Sequence, residues 1–560
     1  MAKETNEPQV EETKVQEVAE AEEAVKANDV DVAEDGTAVA KKQNKFVTSL
    51  DSFFQISARK STIRTEVVGG LTTFFAMCYI LLVNPAQMSG ASSGSLWNAI
   101  FIGTAIGAII GTLLMALLAK MPFAQAPGMG LNSFFFVSFM LGGIGGAAAK
   151  SNEAYQAGMS VIFIAGVLFL IISLTPIREK IAKAIPTSLK KAISAGIGLF
   201  IALIGMKNAG LIQFNPYTFV QFSNFAIGKS NAFLDTAATT MTVFYQNVTW
   251  YSITPALVSF IGLMVICILK KTKVGFLNKG NVIIGILLAT GLYYLFNIGN
   301  SSAYTVFTNG LANPGTAFVD WANIGAGAPF FGFKYWTADV ALNIVLLIIT
   351  FCLIDMFDTL GTLQGTAAEA DMLDENGVPI RLRQCLLCDS IATVAGGVVG
   401  TSTVTTFVES ASGVSAGART GFSSVIVAFM FFIAMFLSPI ASIVPSAAVS
   451  CALVYVGILM MSNVKDIDFK DITMALPSFL IIFMMPFTYS ISNGIGIGLI
   501  AYSIIKFFTV MFSGKEGIKE YYKAGKGEDG KFVFGEFLSR DLLILLISIL
   551  FVLRFFLVSM

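Results

Sequence analysis

The chain consists largely of apolar runs, each of about 17 to 25 residues. A helix needs about 20 apolar residues to cross the hydrocarbon core of a bilayer, and lipid accepts only structures whose backbone polar groups are bonded internally. Composition agrees with this reading, since 55% of the 560 residues are hydrophobic and only 13% are charged, against about a quarter charged residues in soluble domains. The runs therefore predict an all-α polytopic membrane protein.

Fourteen segments are predicted to cross the membrane, in two sets of seven separated by the long loop 299–337. Segments 1 to 7 cover residues 67–84, 96–118, 122–145, 157–175, 188–206, 252–270 and 281–298. Segments 8 to 14 cover residues 338–358, 383–399, 401–417, 421–438, 445–462, 472–489 and 491–512. The sets define two predicted repeats, 60–300 and 338–512. A charged linker and an apolar C-terminal helix make up 513–560; whether 541–559 crosses the membrane stays open.

Basic residues orient these segments. Nine Lys or Arg residues lie between Arg178 and Lys279 in loops predicted to be cytoplasmic, whereas the loops 207–251 and 299–337 carry only three lysines. An excess of Lys and Arg marks cytoplasmic loops, so the N-terminus is predicted to be cytoplasmic. The acidic stretch 1–43 has few aromatic residues and is expected to be a disordered tail, with no cleaved signal peptide.

The two sets are predicted to be inverted repeats. A set of seven segments has an odd number of crossings, so the second set begins on the side opposite to the first. Pro186 and Asn208 around segment 5 are echoed by Pro445 and Asn463 around segment 12. Such 7+7 inverted repeats are a common plan of secondary transporters.

Segments 3 and 10 are predicted to be broken at membrane depth. Segment 3 contains two prolines and two glycines within Met121–Phe136, and segment 10 opens with the Thr- and Ser-rich stretch Gly400–Thr406. Pro and Gly disfavour a regular helix, and Thr and Val favour extended backbone. Short extended strands at corresponding places in both halves would mark a binding site. The alternative is that these residues only kink packed helices.

Carboxylates at membrane depth indicate the site itself. Asp355 and Asp358 end the apolar run of segment 8, and Glu409 lies in segment 10. An acid at this depth costs about 2.5 to 3.5 kcal/mol on insertion scales, so it usually binds a ligand, relays protons or lines a wet cavity. Asn132 and Glu409 are expected to open the helical parts of segments 3 and 10. The alternative for Asp358 is a hydrogen bond at a helix end.

The absence of histidine restricts the chemistry. It excludes Ser-His-Asp catalysis and leaves the carboxylates as the groups able to relay protons in the membrane. Two neighbouring carboxylates in a low dielectric cannot both ionise cheaply, so one is expected to hold a proton. Cys385 and Cys388 have metal-site spacing but no second pair, so they are read as core residues. No enzyme activity, cofactor, metal or nucleic-acid partner is predicted for this net-neutral chain.

At these positions the sequence resembles the AzgA-like purine permeases, a branch of the nucleobase:cation symporter superfamily that also contains the uracil and xanthine permeases. The stretches that carry the resemblance occur in order across residues 60–510. They are Leu71–Ile80, Val83–Pro85, Ala126–Phe135, Asp355–Thr362, Gly400–Val414 and Met485–Gly494.

The resemblance implies a core domain of segments 1–4 and 8–11 and a gate domain of segments 5–7 and 12–14. The nucleobase would bind between the half-helices of segments 3 and 10. Carried over by motif, substrate binding falls to Glu409, Asp355, Asn132 and, by ring packing, Phe75, while proton coupling falls to Asp358, Asp355 and Glu409. The resemblance further implies a homodimer through the gate domains, and an elevator-type movement of the core domain is expected.

The residues and the resemblance together predict a secondary transporter that imports hypoxanthine, guanine or adenine across the plasma (cell inner) membrane by proton symport. Sodium coupling stays open, as does the preferred purine. The alternative function is an anion carrier of sulfate or bicarbonate type with the same inverted-repeat architecture. Such a carrier would need helix N-termini without nearby negative charge, and the three acids argue against it. A channel or a membrane enzyme fits less well.

Overall fold

A computed structural model describes most of the chain from residue 45 to residue 512, together with short stretches on either side. The described residues are 30–32, 38–40, 45–91, 93–141, 146–175, 186–215, 219–235, 242–272, 274, 277–278, 280–300, 315–369, 372–373, 379–441, 443–488, 490–512, 544–549, 551–553 and 555–556.

Helices lie at the position of each predicted segment. In the first set they are Ile63–Met77 followed by Ile80–Ser89, Ser95–Leu114, Met129–Phe135, Asn152–Leu174, Thr187–Asn208, Trp250–Lys270 and Asn281–Phe296. In the second set they are Ala341–Glu369, Leu382–Val399, Ser410–Ser415, Gly421–Met435, Ser446–Met461, Ile472–Phe487 and Ile491–Phe512. Segments 2 and 3 continue as wider π-helical turns, Met115–Ala119 and Phe136–Leu141.

Within the described residues, seven helices are long and apolar enough to cross a membrane, and seven shorter apolar helices accompany them. Their outer faces expose large apolar side chains, including Phe429, Phe483 and Phe512. Exposed apolar surface on this scale does not suit water but does suit lipid. The chain is therefore an integral membrane protein.

Packing between the helices falls into two groups. Segment 5 packs on segments 12 and 13, segment 14 packs on segment 13, and segments 6 and 7 pack on each other and on segment 12. In the other group, segment 4 packs on segment 9, segment 2 on segments 9 and 11, and segment 1 on segments 10 and 11. Contacts between the groups run from segment 5 to segments 3 and 8, and from segment 1 to segments 7 and 12.

Gly400 ends segment 9 and starts the extended part of segment 10. Its φ of 82° is in the left-handed region, which glycine adopts without a Cβ penalty. A Cβ on Gly400 would also lie 2.6 Å from the carbonyl oxygen of Gly325 and 2.6 Å from the hydroxyl oxygen of Tyr155. The Tyr155 hydroxyl donates a hydrogen bond to the Gly400 carbonyl at 2.6 Å, so the turn is tightly enclosed.

The two long loops contain regular structure that apolar runs did not predict. In the first loop, Ile212–Asn215 pairs with Phe219–Phe222 and Ser230–Asp235 pairs with Thr242–Asn247, both antiparallel. The second loop contains the short helices Thr316–Asp320 and Ala328–Gly332.

Residues 1–59 form a compact unit separate from residues 60–560. Within it, the strands Val30–Val32 and Ala38–Ala40 pair antiparallel, and Lys45–Phe54 is a helix. The remainder of the predicted acidic tail lies outside the described residues.

An apolar C-terminal helix, Ile544–Leu553, packs along segment 14. The Ser548 hydroxyl donates to the Leu499 carbonyl at 3.1 Å, and a Cβ on Gly496 would lie 2.6 Å from the ring of Phe551. Because the lower residue number of one helix meets the higher of the other, the two helices run antiparallel. The charged linker 513–540 lies outside the described residues.

Candidate functional site

Segments 3 and 10 cross as two short buried strands. Gln125–Pro127 pairs antiparallel with Val404–Thr406, and the pairing extends through a hydrogen bond from the Gly128 amide to the Thr403 carbonyl at 2.9 Å. The extended backbone is therefore satisfied by protein, as membrane depth requires. This pair of strands, called the crossing below, matches the predicted breaks in both segments. A short helix begins just beyond each strand.

Glu409 immediately precedes the helix Ser410–Ser415 of segment 10. Its carboxylate oxygen Oε1 accepts a hydrogen bond from the Tyr79 hydroxyl at 2.5 Å. Tyr79 is fully buried between the two helices of segment 1, whereas Glu409 is half-buried. The sequence did identify Glu409 but gave no indication of Tyr79, because the two residues are 330 positions apart in the chain.

Asn132 lies in the first turn of the segment 3 helix and is fully buried. Its Oδ1 accepts a hydrogen bond from the Ser402 hydroxyl, and its Nδ2 donates to Gln87 Oε1 at 3.5 Å. Gln87 Nε2 in turn donates to the Ser133 hydroxyl at 3.2 Å. Segments 1, 3 and 10 thus meet at Asn132, and sequence reasoning missed Gln87 and Ser402.

The segment 8 carboxylates occupy different surroundings. Asp355 is only 1% exposed, and its Oδ2 accepts a hydrogen bond from the Thr393 hydroxyl at 2.8 Å. Thr393 also donates to the Val404 carbonyl at 3.2 Å, so Asp355 is tied to segment 9 and to the crossing. Asp358 is half-buried, and its Oδ2 lies 3.6 Å from the position of a Cβ built on Gly128, where the segment 3 helix begins.

The helix of segment 8 continues beyond its predicted end at residue 358. It extends to Glu369, and the Thr362 hydroxyl donates back to the Asp358 carbonyl at 3.0 Å, as helical threonines do. The apolar part of this helix, Ala341–Met356, ends close to the predicted end of the apolar run. Asp358 lies inside the helix, and its carboxylate lies beside the start of the segment 3 helix, so the alternative of a hydrogen bond at a helix end stays a prediction.

Asp389 in segment 9 is a fully buried carboxylate that sequence reasoning missed. Its Oδ2 accepts from the Thr359 hydroxyl at 2.5 Å, and its Oδ1 accepts from Gln125 Nε2 at 3.2 Å. It therefore links segments 3, 8 and 9 beside the crossing. The signal was present, because Asp389 stands within an otherwise apolar run, as Asp355 does.

Hydroxyl and amide groups line the crossing. Asn84 of segment 1 donates to the hydroxyls of Thr104 and Thr401 at 2.5 and 2.9 Å. Thr359 and Thr405 share a hydrogen bond of 2.7 Å. The buried hydroxyl residues of segment 10 are Thr401, Ser402, Thr403, Thr405, Thr406 and Ser410. These groups supply hydrogen bonds to the non-helical backbone and hold the neighbouring carboxylates in position.

Phe75 and the cysteines complete the predicted residues. Phe75 is half-buried, packs against the apolar core and meets Phe74 edge-to-face at 5.5 Å between ring centroids. Cys385 and Cys388 are buried in an apolar cluster, and Cys388 Sγ bonds the Leu114 carbonyl at 3.3 Å. Their surroundings suit core residues. Among the described residues, no group of three or more Cys, Asp or Glu side chains could hold a metal ion.

The arrangement suits a flat ligand with both hydrogen-bond donors and acceptors. Carboxylates accept N–H bonds, and an amide such as Asn132 both donates and accepts. Glu409 lies close enough to Asp358 for its negative charge to oppose ionisation of Asp358.

Known proteins match this chain over its membrane segments. A family model described as "Permease family" (Xan_ur_permease) matches residues 64–244 and 227–497, which include both strands of the crossing. The guanine/hypoxanthine permease PbuG of Bacillus subtilis is 38% identical over 465 residues, covering 81% of this chain and 93% of that protein. The adenine permease AdeP of Escherichia coli is 34% identical over 462 residues, covering 82% and 91%.

Solved structures of low sequence identity share the fold. The transmembrane domain of the cyanobacterial bicarbonate transporter BicA matches with a TM-score of 0.50 and 14% identity, over 79% of this chain and 97% of that chain. The murine anion transporter Slc26a9 in its inward-facing state matches with a TM-score of 0.53 and 13% identity, over 84% and 73%. Likeness at this level concerns the fold, since one fold serves many functions.

Proposed function

Because the chain belongs to the Permease family, we propose that it is a secondary active transporter that imports purine nucleobases across the cell membrane. The relatives named guanine/hypoxanthine and adenine permeases support the substrate class. One observation in the structure carries the proposal. Glu409 and Asn132 stand where the short helices of segments 10 and 3 begin, on either side of the crossing.

The base is held by Glu409 and Asn132. A purine presents ring N–H donors and acceptor nitrogens on a flat apolar face. The Glu409 carboxylate accepts from a ring N–H, and the Asn132 amide exchanges its bond to Ser402 or to Gln87 for one to the base. Asp355 supports the site through Thr393 and the crossing, and Phe75 offers an aromatic face near segment 1. An unmatched ligand would leave buried polar groups unpaired, which disfavours it.

A proton accompanies the base inward and is carried by one of Asp358, Asp355 and Glu409. Asp358 and Glu409 are within reach of each other's charge, so binding a base at Glu409 changes how tightly Asp358 holds its proton. One charge moving through about 100 mV releases roughly 2.3 kcal/mol, which sustains up to about a fifty-fold gradient of neutral purine. Sodium in place of the proton is the open alternative.

Movement occurs between the two packing groups. Segments 1–4 and 8–11 act as a core domain that carries the crossing, and segments 5–7 and 12–14 act as a gate domain against which it slides. The division of helix contacts supports this assignment. Gly130 lets the segment 3 helix approach segment 5, since a Cβ there would lie 2.6 Å from Ile197. The protein acts as a homodimer through its gate domains, with a cytoplasmic N-terminus.

An anion carrier of sulfate or bicarbonate type is the second candidate. The structural likeness to BicA and Slc26a9 concerns the fold alone at 13% to 14% identity. Two carboxylates beside the crossing, Asp358 and Glu409, would repel an anion from the helix N-termini that would otherwise attract it. The purine reading therefore fits the charges better.

Uptake in cells that lack their own purine carriers tests the function. Cells expressing the chain are expected to accumulate labelled hypoxanthine, to be inhibited by unlabelled purines and to lose accumulation when a protonophore is added. Asp355→Asn and Glu409→Gln are each expected to reduce accumulation strongly. Intact, protonophore-sensitive uptake in both variants would show that the residue assignment is wrong. Uptake of sulfate or bicarbonate without purine uptake would favour the anion carrier.

A further inference from the structure

Tyr79 contacts Glu409, but the sequence alone assigned no role to Tyr79. Tyr79 follows the end of the first helix of segment 1 at Met77, and the second helix begins at Ile80. Its side chain is fully buried, and its hydroxyl donates to Glu409 Oε1 at 2.5 Å. A bond of a phenol to a carboxylate is charge-assisted and stronger than a neutral one.

The backbone of Tyr79 is held in place by the second helix. The amides of Leu82 and Val83 both donate to the Tyr79 carbonyl at 3.0 Å. The backbone from which the ring projects is therefore fixed by these bonds, and the ring itself is enclosed by its burial.

The helix that follows Glu409 is held just as closely against segment 1. A Cβ on Gly413 would lie 2.1 Å from the Thr73 hydroxyl oxygen, and a Cβ on Gly69 would lie 2.6 Å from Cβ of Ala418. Backbones at this separation cannot slide without collision. Tyr79 and Glu409 thus sit on two elements whose relative position is fixed.

Side chains from three further segments lie close enough to interact with the Glu409 carboxylate. Asp358 of segment 8, Tyr455 of segment 12 and Lys270 at the end of segment 6 all act on it electrostatically. A carboxylate has two oxygens, and a bond to one of them fixes where the other points.

We propose that Tyr79 is a positioning residue, whose hydroxyl holds Oε1 of Glu409 so that Oε2 is presented to a ring N–H of the purine. The proposal rests on the proposed function and adds to it a group that does not itself touch the substrate. Without the hydroxyl, the carboxylate keeps its charge but loses its fixed direction. Substrate affinity then falls, while the movement of the core domain is left intact.

The test is the kinetics of hypoxanthine uptake by Tyr79→Phe, with rates divided by the amount of transporter in the membrane. A hydrogen bond to a charged group is worth about a ten- to hundred-fold change in affinity. The KM is therefore expected to rise at least about ten-fold, with the maximal rate per transporter within about three-fold of wild type. An unchanged KM, or a lost maximal rate at unchanged KM, would overturn the proposal.

Tyr294→Phe is the matched control. Tyr294 lies in segment 7, and its hydroxyl donates to a backbone carbonyl, that of Ile443, at 2.7 Å. The control removes an equivalent hydroxyl without touching Glu409 and is expected to leave the KM unchanged. An equal rise of KM in both variants would show a general packing effect and would overturn the positioning role.

Rescue provides a second readout, which also applies if Tyr79→Phe accumulates poorly. Para-aminophenylalanine introduced at position 79 keeps a donor at the ring's end and is expected to return the KM to within about three-fold of wild type. O-methyltyrosine at the same position has no donor and is expected to fail. Failure of both residues alike would contradict the proposal. If wild-type protein takes up no purine at all, the proposed function fails instead, which separates the two claims.

Discussion

The two helix groups bury different kinds of side chain where their helices meet. Among the described residues, the fully buried acids Glu66, Asp355 and Asp389 all belong to segments 1–4 and 8–11. Contacts in the other group depend on glycine, as at Gly457, where a Cβ would lie 2.6 Å from the Gly198 carbonyl oxygen. Close glycine contacts also occur in the first group, as at Gly413, so among the described residues the buried acids are what distinguishes it from the second.

This difference suits the two roles proposed for the groups. Hydrogen bonds fix particular atoms, which a binding site requires, and each one that is broken leaves a buried polar group unpaired. Close glycine contacts fix whole helices, which suits a frame against which other helices move. Glu66 shows the first principle away from the crossing, since its carboxylate accepts from the backbone amides of Arg419 and Thr420 at 2.8 and 3.3 Å.

The largest effect is expected from Glu409→Gln. This change removes a carboxylate at the proposed binding position, in the helix group of segments 1–4 and 8–11. The amide removes the charge that accepts from both Tyr79 and the purine, so hypoxanthine uptake should fall about a hundred-fold or more. Initial uptake rates per transporter measure this. Glu153→Gln is the control, because Glu153 is exposed in the first turn of segment 4 and its loss should change uptake by less than two-fold. Equal losses of uptake in both variants would contradict the particular role of Glu409 and the comparison between the two helix groups.

Asp389→Asn tests a buried acid that supports the crossing in the same helix group, segments 1–4 and 8–11. Asparagine has one acceptor oxygen in place of two and no charge, so one of the donors Thr359 and Gln125, which bond separate oxygens of Asp389, meets an NH2 group instead. A loss of about 2 to 4 kcal/mol in the stability of the core is expected, seen as a lower unfolding temperature of the purified protein. An unchanged unfolding temperature would show that buried charges do not hold this group together.

Gly457→Ala tests the close glycine contacts in the helix group of segments 5–7 and 12–14. The added methyl meets the Gly198 carbonyl and the Ala202 side chain at 2.6 and 2.7 Å, so a loss of about 1 to 3 kcal/mol is expected, with the KM for purine unchanged. In the control Gly291→Ala, nothing lies within 4 Å of the new Cβ, and better helix propensity should stabilise the protein slightly. A raised KM in Gly457→Ala would show that these helices also shape the binding site, contrary to the separate roles proposed for the two helix groups.

Much of the fold could be predicted from the sequence. Apolar length located the helices, because lipid requires each crossing to satisfy its own backbone. The Pro and Gly residues of segment 3 and the Thr-rich start of segment 10 predicted the paired strands. The hairpins between residues 212 and 247 escaped this reasoning, since it scored membrane-length apolar runs rather than strand alternation.

The candidate site could be predicted only in part. Glu409, Asp358 and Asn132 were predicted because each is polar in an apolar context. The structure places them beside the crossing, and their roles in binding and coupling stay predictions. The hydrogen-bond partners Tyr79 and Gln87 depend on contacts between distant segments, which one sequence does not reveal. Burial also distinguishes Asp355, which is buried, from Asp358, which is half-buried.

The smallest effect is expected from removing residues 541–560. The C-terminal helix contacts segment 14 at Gly496, Leu499 and Ser503, away from the crossing. Its loss should lower the unfolding temperature by a few degrees while the KM for hypoxanthine stays within about two-fold of wild type. A large change in KM would show that this helix takes part in transport and does not belong to the static frame of segments 5–7 and 12–14.

Accumulation of hypoxanthine by proteoliposomes tests the central claim most directly. Purified wild-type protein and Glu409→Gln are reconstituted, an inward proton gradient is imposed, and labelled hypoxanthine inside the vesicles is followed with and without a protonophore. Wild type is expected to concentrate hypoxanthine above the external level until the protonophore is added, and Glu409→Gln is expected not to do so. Equal accumulation by both proteins would contradict the claim that the base is held at the crossing by Glu409.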